Sequence, residues 1–158
     1  MKTGAKIGIG AATAATVAFV VMWEGNEMKP YLDVGGVPTV CAGVTKGVSM
    51  DLILAPEECA KLNGAEIQRH ADELSACIKV PLSEGEKTAY ISWAYNVGTR
   101  NACQSTLVQL LNQEKRIEAC HQLPRWNKVN QKEIRGLTNR RLSEMKECLN
   151  GVKKQLGS

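Results

Sequence analysis

The sequence predicts an α+β fold: a small β-hairpin lobe plus a larger helical lobe, preceded by an N-terminal apolar helix. Three observations carry this expectation. Two short apolar β-type runs flank Gly35-Gly36 near the start, apolar residues after Pro56 recur at helical spacing, and helix start and stop signals punctuate the remainder. A hairpin segregated from a run of helices is the α+β pattern. A chain of 158 residues suits one such domain and can bury a core without help from a metal.

The N-terminal run comes first. Lys2 and Lys6 precede an uncharged stretch from residue 7 to residue 23, at the lower edge of the ~17–25 residues that cross a bilayer as a helix. Its first half is only weakly apolar (Gly8, Gly10, Ala11, Ala12, Thr13, Ala14, Ala15, Thr16), and Val17 to Met22 carry most of the hydrophobicity. Three readings fit: an uncleaved signal-anchor, a signal peptide cut at a small-residue site such as Thr16-Val17-Ala18, and a buried soluble helix. The first is preferred. Residues 1–22 are then the anchor, residues 23–158 the folded domain, and the lysines keep the N-terminus cytoplasmic with everything after Trp23 outside.

Cysteine usage agrees with export. Cys41, Cys59, Cys77, Cys103, Cys120 and Cys148 show no C-x-x-C spacing, and His70 and His121 are the only histidines. A zinc site, or any other metal or cofactor, is therefore not expected. An even count without metal spacing reads as three disulfides, which need an oxidising compartment.

Pro30-Tyr31-Leu32-Asp33-Val34 and Val37-Pro38-Thr39-Val40-Cys41 form the expected hairpin, with Pro38 limiting the second run to an edge strand. Ala55-Pro56-Glu57-Glu58 opens a helix through Cys59, Leu62, Ile67, His70 and Leu74. Ser83 and Glu86 form a capping box before a helix that stops at Gly98. Ser105 or Thr106 opens the next, a further helix covers 117–123 and ends at Pro124, and the last runs from about Thr138 to Leu149 before Gly151.

Two carboxylates stand out. Glu24 follows Val20-Val21-Met22-Trp23 at the end of an apolar helix, where desolvation is expected to favour the protonated form. Asp33 sits in a polar turn beside Gly35-Gly36, where a carboxylate stays ionised. Two carboxyl groups with environments that push them apart are the pattern expected of the acid and base in glycosidic bond cleavage. Taken singly, a Glu at a helix end and an Asp before a turn more often have ordinary structural roles.

Their spacing adds a family resemblance. Glu24-Gly25, then Tyr31-Leu32-Asp33, then Thr39 followed by Gly43 and Thr45, closely resembles the active-site segment of the lysozymes of T-even and lambdoid phages. Trp93-Ala94-Tyr95-Asn96-Val97-Gly98, Ser105-Thr106-Leu107 and Gly136-Leu137-Thr138-Asn139-Arg140-Arg141 follow in that family's order, so the likeness covers about residues 23–150. It implies a lysozyme-like fold and a peptidoglycan hydrolase that cuts the β-1,4 bond between N-acetylmuramic acid and N-acetylglucosamine. Glu24 would be the general acid, and Asp33 with the Thr39 hydroxyl would activate a water, with inversion. Tyr95, Asn96, Thr106 and Thr45 match substrate-groove positions; core packing for Tyr95 and helix capping for Thr106 fit equally well.

Cys41 replaces a family glycine and Val44 a family histidine, which resembles the exported, disulfide-containing branch. A two-residue Gly35-Gly36 turn would pair Asp33 with Pro38 and put Thr39 on the opposite face, so a shared water requires a longer or bulged turn. Nearest-element packing favours the pairs Cys41 with Cys59, Cys77 with Cys103, and Cys120 with Cys148. The 7–22 stretch resembles a signal-arrest-release segment, exported uncleaved, held in the inner membrane and later released to the periplasm. Its Gly/Ala/Thr content buries few methylenes, which makes escape from lipid feasible.

The expected partners are peptidoglycan and the bacterial inner membrane, with the chain a monomer. Net charge is +4, too modest for nucleic acid. It is unevenly spread: residues 24–110 carry seven Lys/Arg against eleven Asp/Glu, and residues 111–158 eleven against five. A basic C-terminal third suits a polyanionic wall, although a solvated helical surface reads the same way. A lytic transglycosylase needs the acid but no water-activating Asp, so Asp33 with Thr39 argues against it. An inactive wall-binding module would bind sacculi without clearing them, and a pore-former has no use for so long a folded domain.

Overall fold

The computed structural model describes residues 8–157. Lys2, Lys6 and Ile7 of the expected anchor lie outside the described residues. Residues 8–13 are not helical; α1 (Ala14–Glu24) begins after Thr13, whose side chain accepts from the Thr16 amide. Gly10 adopts φ +79°, a left-handed conformation that breaks the run where only glycine is comfortable. Among the described residues no helix is long and apolar enough to cross a membrane.

Strands β1 (Glu27–Leu32) and β2 (Pro38–Cys41) form the expected hairpin. Its register pairs Leu32 with Pro38, Tyr31 with Thr39 and Glu27 with Cys41, and shifts between Glu27 and Tyr31. The turn is thus longer than Gly35-Gly36. Asp33 Oδ1 accepts from the amides of Gly35 and Val37, both at 2.8 Å, and the Asp33 amide donates to the Val37 carbonyl. Paired residues share a face, and alternation returns Asp33 to the face of Tyr31, so Asp33 and Thr39 stand on the same side. Past Cys41 the chain folds back, with Val40 and Val44 exchanging both backbone hydrogen bonds at 2.9 Å. Val44 is buried with Val40, Cys41 and Cys59 in a small lobe core.

The helical lobe contains α2 (Pro56–Ser75), α3 (Glu84–Val97), α4 (Thr99–Cys103), α5 (Thr106–Asn112), α6 (Arg116–Cys120) and α7 (Arg135–Leu156). Ser83 and Glu86 form the capping box of α3, and Gly98 ends it at φ +92°. Ser105, not Thr106, is the N-cap of α5. The expected 117–123 helix is shorter: α6 stops at Cys120, and Pro124 lies inside a separate 3-10 turn, Leu123–Arg125. A second hairpin, β3 (Lys128–Val129) with β4 (Lys132–Glu133), was not expected from its polar sequence.

The last helix runs through Gly151 rather than stopping before it. Tertiary packing is the reason: a Cβ on Gly151 would collide with Ser83 and Gly85, and one on Gly85 with the Glu147 carbonyl. The two glycines let α7 cross close to the start of α3. Helix α3 is the hub, packed by α7, α1 and α2. Trp93, Tyr90, Ile91, Ile67, Leu74, Leu107 and Leu111 fill the main core, and Val20 of α1 is buried in it.

Disulfides link Cys41 to Cys59, Cys77 to Cys103, and Cys120 to Cys148. They tie the hairpin lobe to the start of α2, the chain just past α2 to α4, and α6 to α7. Replacing both Cys120 and Cys148 with alanine is expected to lower stability by about 2–5 kcal/mol, read from denaturant midpoints.

Candidate active site

Glu24 is the last residue of α1, where Gly25 closes the helix by donating to the Val21 carbonyl. Its side chain is one-fifth exposed, and Oε1 accepts from Arg140 Nη1 at 2.6 Å. The apolar surroundings expected for this carboxyl are therefore incomplete, because a guanidinium 116 positions away reaches it. Oε2 faces the β2 side, 3.8 Å from where a Cβ on Gly43 would stand.

Arg140 is held from behind. Its Nη2 donates to the Ser92 carbonyl at 2.9 Å and to Ser92 Oγ at 3.3 Å, and its Nε to Glu144 Oε1 at 3.2 Å. Ser92 Oγ donates to the same carboxylate oxygen at 2.7 Å, and Arg141 Nη2 reaches it at 2.9 Å. Arg141 Nε lies 2.7 Å from Glu144 Oε2, out of line for a hydrogen bond. Arg141 and Glu144 are fully buried. Burial pushes the Glu144 carboxyl above its ordinary range against the pull of Arg141, and pushes the Arg141 guanidinium down against the pull of Glu144. The positive charge beside Glu24 thus belongs to a cluster on α3 and α7 in which Arg140 and Arg141 share the single carboxylate of Glu144.

On the hairpin, Asp33 is half-buried, and its Oδ1 is occupied by the turn amides. Oδ2 has no partner among the described residues. Thr39 is buried, and its hydroxyl donates to the Val37 carbonyl at 2.9 Å, so its lone pairs remain as acceptors. The arrangement offers one carboxyl oxygen on the helical side and two acceptors on the hairpin side.

Comparisons with known proteins supply the family. A family model described as Phage lysozyme matches residues 21–144. The chain belongs to the phage lysozyme family. The SAR-endolysin of Pseudomonas phage phiKMV is 43% identical over 145 residues, covering 89% of each chain. The solved endolysin of Escherichia coli O157:H7 phage FAHEc1 superposes at TM-score 0.81 with 26% identity, covering 90% of this chain and 96% of that one. The active form of the P1 phage endolysin Lyz gives TM-score 0.80 at 21% identity over 89% of this chain and 86% of that one; its secreted inactive form gives 0.57 at 18% over 89% and 97%. This phage lysozyme is accordingly a glycoside hydrolase of peptidoglycan that serves host lysis.

The four residues expected in the substrate groove lie on separate parts of the chain. Tyr95, near the end of α3, packs its ring on His70 at 4.5 Å and donates its hydroxyl to the Ala42 carbonyl at 2.6 Å; burial pushes that phenol far up. Asn96 is exposed on the next position, its Oδ1 accepting from Arg141 Nη1 at 3.0 Å. Thr45 is exposed beyond the turn at Gly43, and Thr106 is exposed on the first turn of α5. Sequence reasoning missed Ser92, Glu144 and Asn63 and gave Arg140 and Arg141 no role. The available signal was the spacing of Arg140 and Arg141 with Glu144, at i+4 and i+3 on one helix.

Proposed function

We propose that Glu24 is the general acid of this lysozyme, that Asp33 and Thr39 hold and activate the attacking water, and that cleavage of the muramic acid–glucosamine β-1,4 bond proceeds with inversion. The observation that carries this is the allotment of acceptors. Arg140 occupies Glu24 Oε1, which leaves Oε2 to deliver the proton, and the guanidinium then stabilises the carboxylate left behind. The water donates one hydrogen bond to Asp33 Oδ2, which takes that proton as the water attacks, and the other to the Thr39 hydroxyl, so its lone pair is free for the anomeric carbon. Tyr95, Asn96, Thr106 and Thr45 belong to the substrate groove in this reading, with Tyr95 acting through Ala42. The test is mass analysis of fragments from purified peptidoglycan. Hydrolysis ends each fragment in a reducing muramic acid; an anhydro terminus would make the enzyme a transglycosylase, and binding without fragments an inactive wall module.

The N-terminal stretch is, in this proposal, an uncleaved anchor (residues 1–22) that holds the exported enzyme at the inner membrane until release to the periplasm, residues 23–158 being the catalytic domain. The docked position is the arrangement that release from the membrane would allow. Thr16 and Val20 are fully buried, Thr16 Oγ1 bonds Thr88 Oγ1 at 2.8 Å, Ile9 donates to Ser75 and Ala12 to Gln68. A helix that both crosses the bilayer and carries Glu24 cannot make these contacts. Greater likeness to the active than to the inactive P1 fold agrees with the docked arrangement being the competent one.

The docked structure also selects the substitutions that test release. Ala11, Ala14 and Ala15 are exposed, so leucine there leaves docking intact, while each change adds methylenes worth ~0.8 kcal/mol apiece in lipid. The triple leucine variant is expected to stay in the membrane pellet and to delay lysis. Lysis at the normal time would sink the anchor reading.

A further inference from the structure

We infer that Asn63 is the positioning residue that sets the catalytic acid against the water-holding strand. The inference rests on the assignment of Glu24, Asp33 and Thr39 above. Asn63 lies in α2 and is 2% exposed. Its Oδ1 accepts from the Ala42 amide at 2.9 Å, and its Nδ2 donates to Asn26 Oδ1 at 3.0 Å. Ala42 follows Thr39 by three positions, and Asn26 follows Glu24 by two. One buried amide therefore joins the exit of the acid-bearing helix to the end of the strand that carries Thr39.

The hairpin needs such a tie. A two-stranded sheet is marginal by itself, and this one is irregular between Glu27 and Tyr31, on the side nearest Glu24. Tyr95 holds the carbonyl of the same Ala42, so α2 and α3 grip both polar groups of that residue. Gly43 comes next, φ +79°, with Glu24 Oε2 and the Tyr95 ring 3.8–3.9 Å from its outward position. A shift of Ala42 would thus change the gap between the acid and the facing strand. With Asn26 presenting its oxygen, the residue at 63 needs an acceptor for Ala42 and a donor for Asn26, and an apolar side chain would strand the Ala42 amide.

The test uses the full chain and soluble un-crosslinked peptidoglycan strands, assayed well below each variant's melting temperature. Asn26 is exposed, so N26A keeps the fold; it is expected to lose about tenfold in kcat with KM within about twofold, the split produced by misplaced catalytic groups. N26D still accepts from Asn63, and N63D still receives a donor when the Asn26 amide turns over. Each alone is expected to cost at most about threefold, whereas together they oppose two carboxylates with no donor and should cost at least about thirtyfold, more than the product of the singles. A role confined to stability would lower the melting temperature and leave kcat of the folded protein alone. N26A within twofold of wild type in kcat, or multiplicative N26D and N63D effects, overturns the inference; if the double variant does not fold, N26A decides. Activity retained in Glu24→Gln would instead overturn the assignment beneath it.

Discussion

Replacing Glu24 with Gln is expected to lower peptidoglycan cleavage by about 10²–10⁴-fold, the span that a positioned general acid contributes. The amide keeps an oxygen for Arg140 and nearly the same volume, so the circular dichroism spectrum should match that of the wild type. What the substitution removes, in the proposed mechanism, is the proton delivered from the atom that faces Gly43. Asp33→Asn is expected to be comparably impaired, because in the proposed mechanism it replaces the carboxylate that activates water, while its carbonyl can still accept from Gly35 and Val37. Thr39→Val should do less, since the hydroxyl orients the water without taking its proton. Near-normal turnover by Glu24→Gln, measured as reducing ends released, would remove Glu24 from the mechanism.

The second large effect is on stability. Arg141→Met is expected to cost about 3–5 kcal/mol, because it leaves the buried Glu144 carboxylate short of a charge partner. For a domain of this size that is a fall of roughly 6–20 °C in melting temperature. The paired change Arg141→Met with Glu144→Leu should cost less than Arg141→Met alone, since no unpaired charge is left in the core. Activity should also suffer in the single variant: Glu144 is bonded to Arg140, and Arg140 is shared with Glu24. A melting temperature within 2 °C of wild type, checked by calorimetry as about 1 kcal/mol or less, would show that the cluster does not hold the two helices together.

The long helices of the large lobe were legible because their signals are local, whereas the short α4 was not expected. The capping box at Ser83 and Glu86, the Pro56 start and the Gly98 stop each involve groups within one turn of one another. The hairpin was legible as an element but not in its register, because its five-residue turn depends on Asp33 folding back on the amides of Gly35 and Val37. The α7 boundary was misjudged for the opposite reason: Gly151 looks like a stop in isolation and is an approach point only when Gly85 lies across from it.

The carboxylates of the site were visible in the chain itself, through the spacing of Glu24, Asp33 and Thr39 and the sequence likeness that it carries. Their surroundings were not. Arg140 lies 116 positions from Glu24, Ser92 lies 52 from Glu144, and Asn63 lies 37 from Asn26 and 21 from Ala42. No periodicity or local propensity reports a contact across such separations. The sequence by itself determined the fold class, the first hairpin, the long helices and the candidate catalytic groups, because these depend on residue type and short-range spacing. Only the tertiary structure decided which oxygen of Glu24 is engaged, how the hairpin is tied to the helices, and where the N-terminal segment rests, because these depend on which distant side chains folding brings within hydrogen-bonding reach.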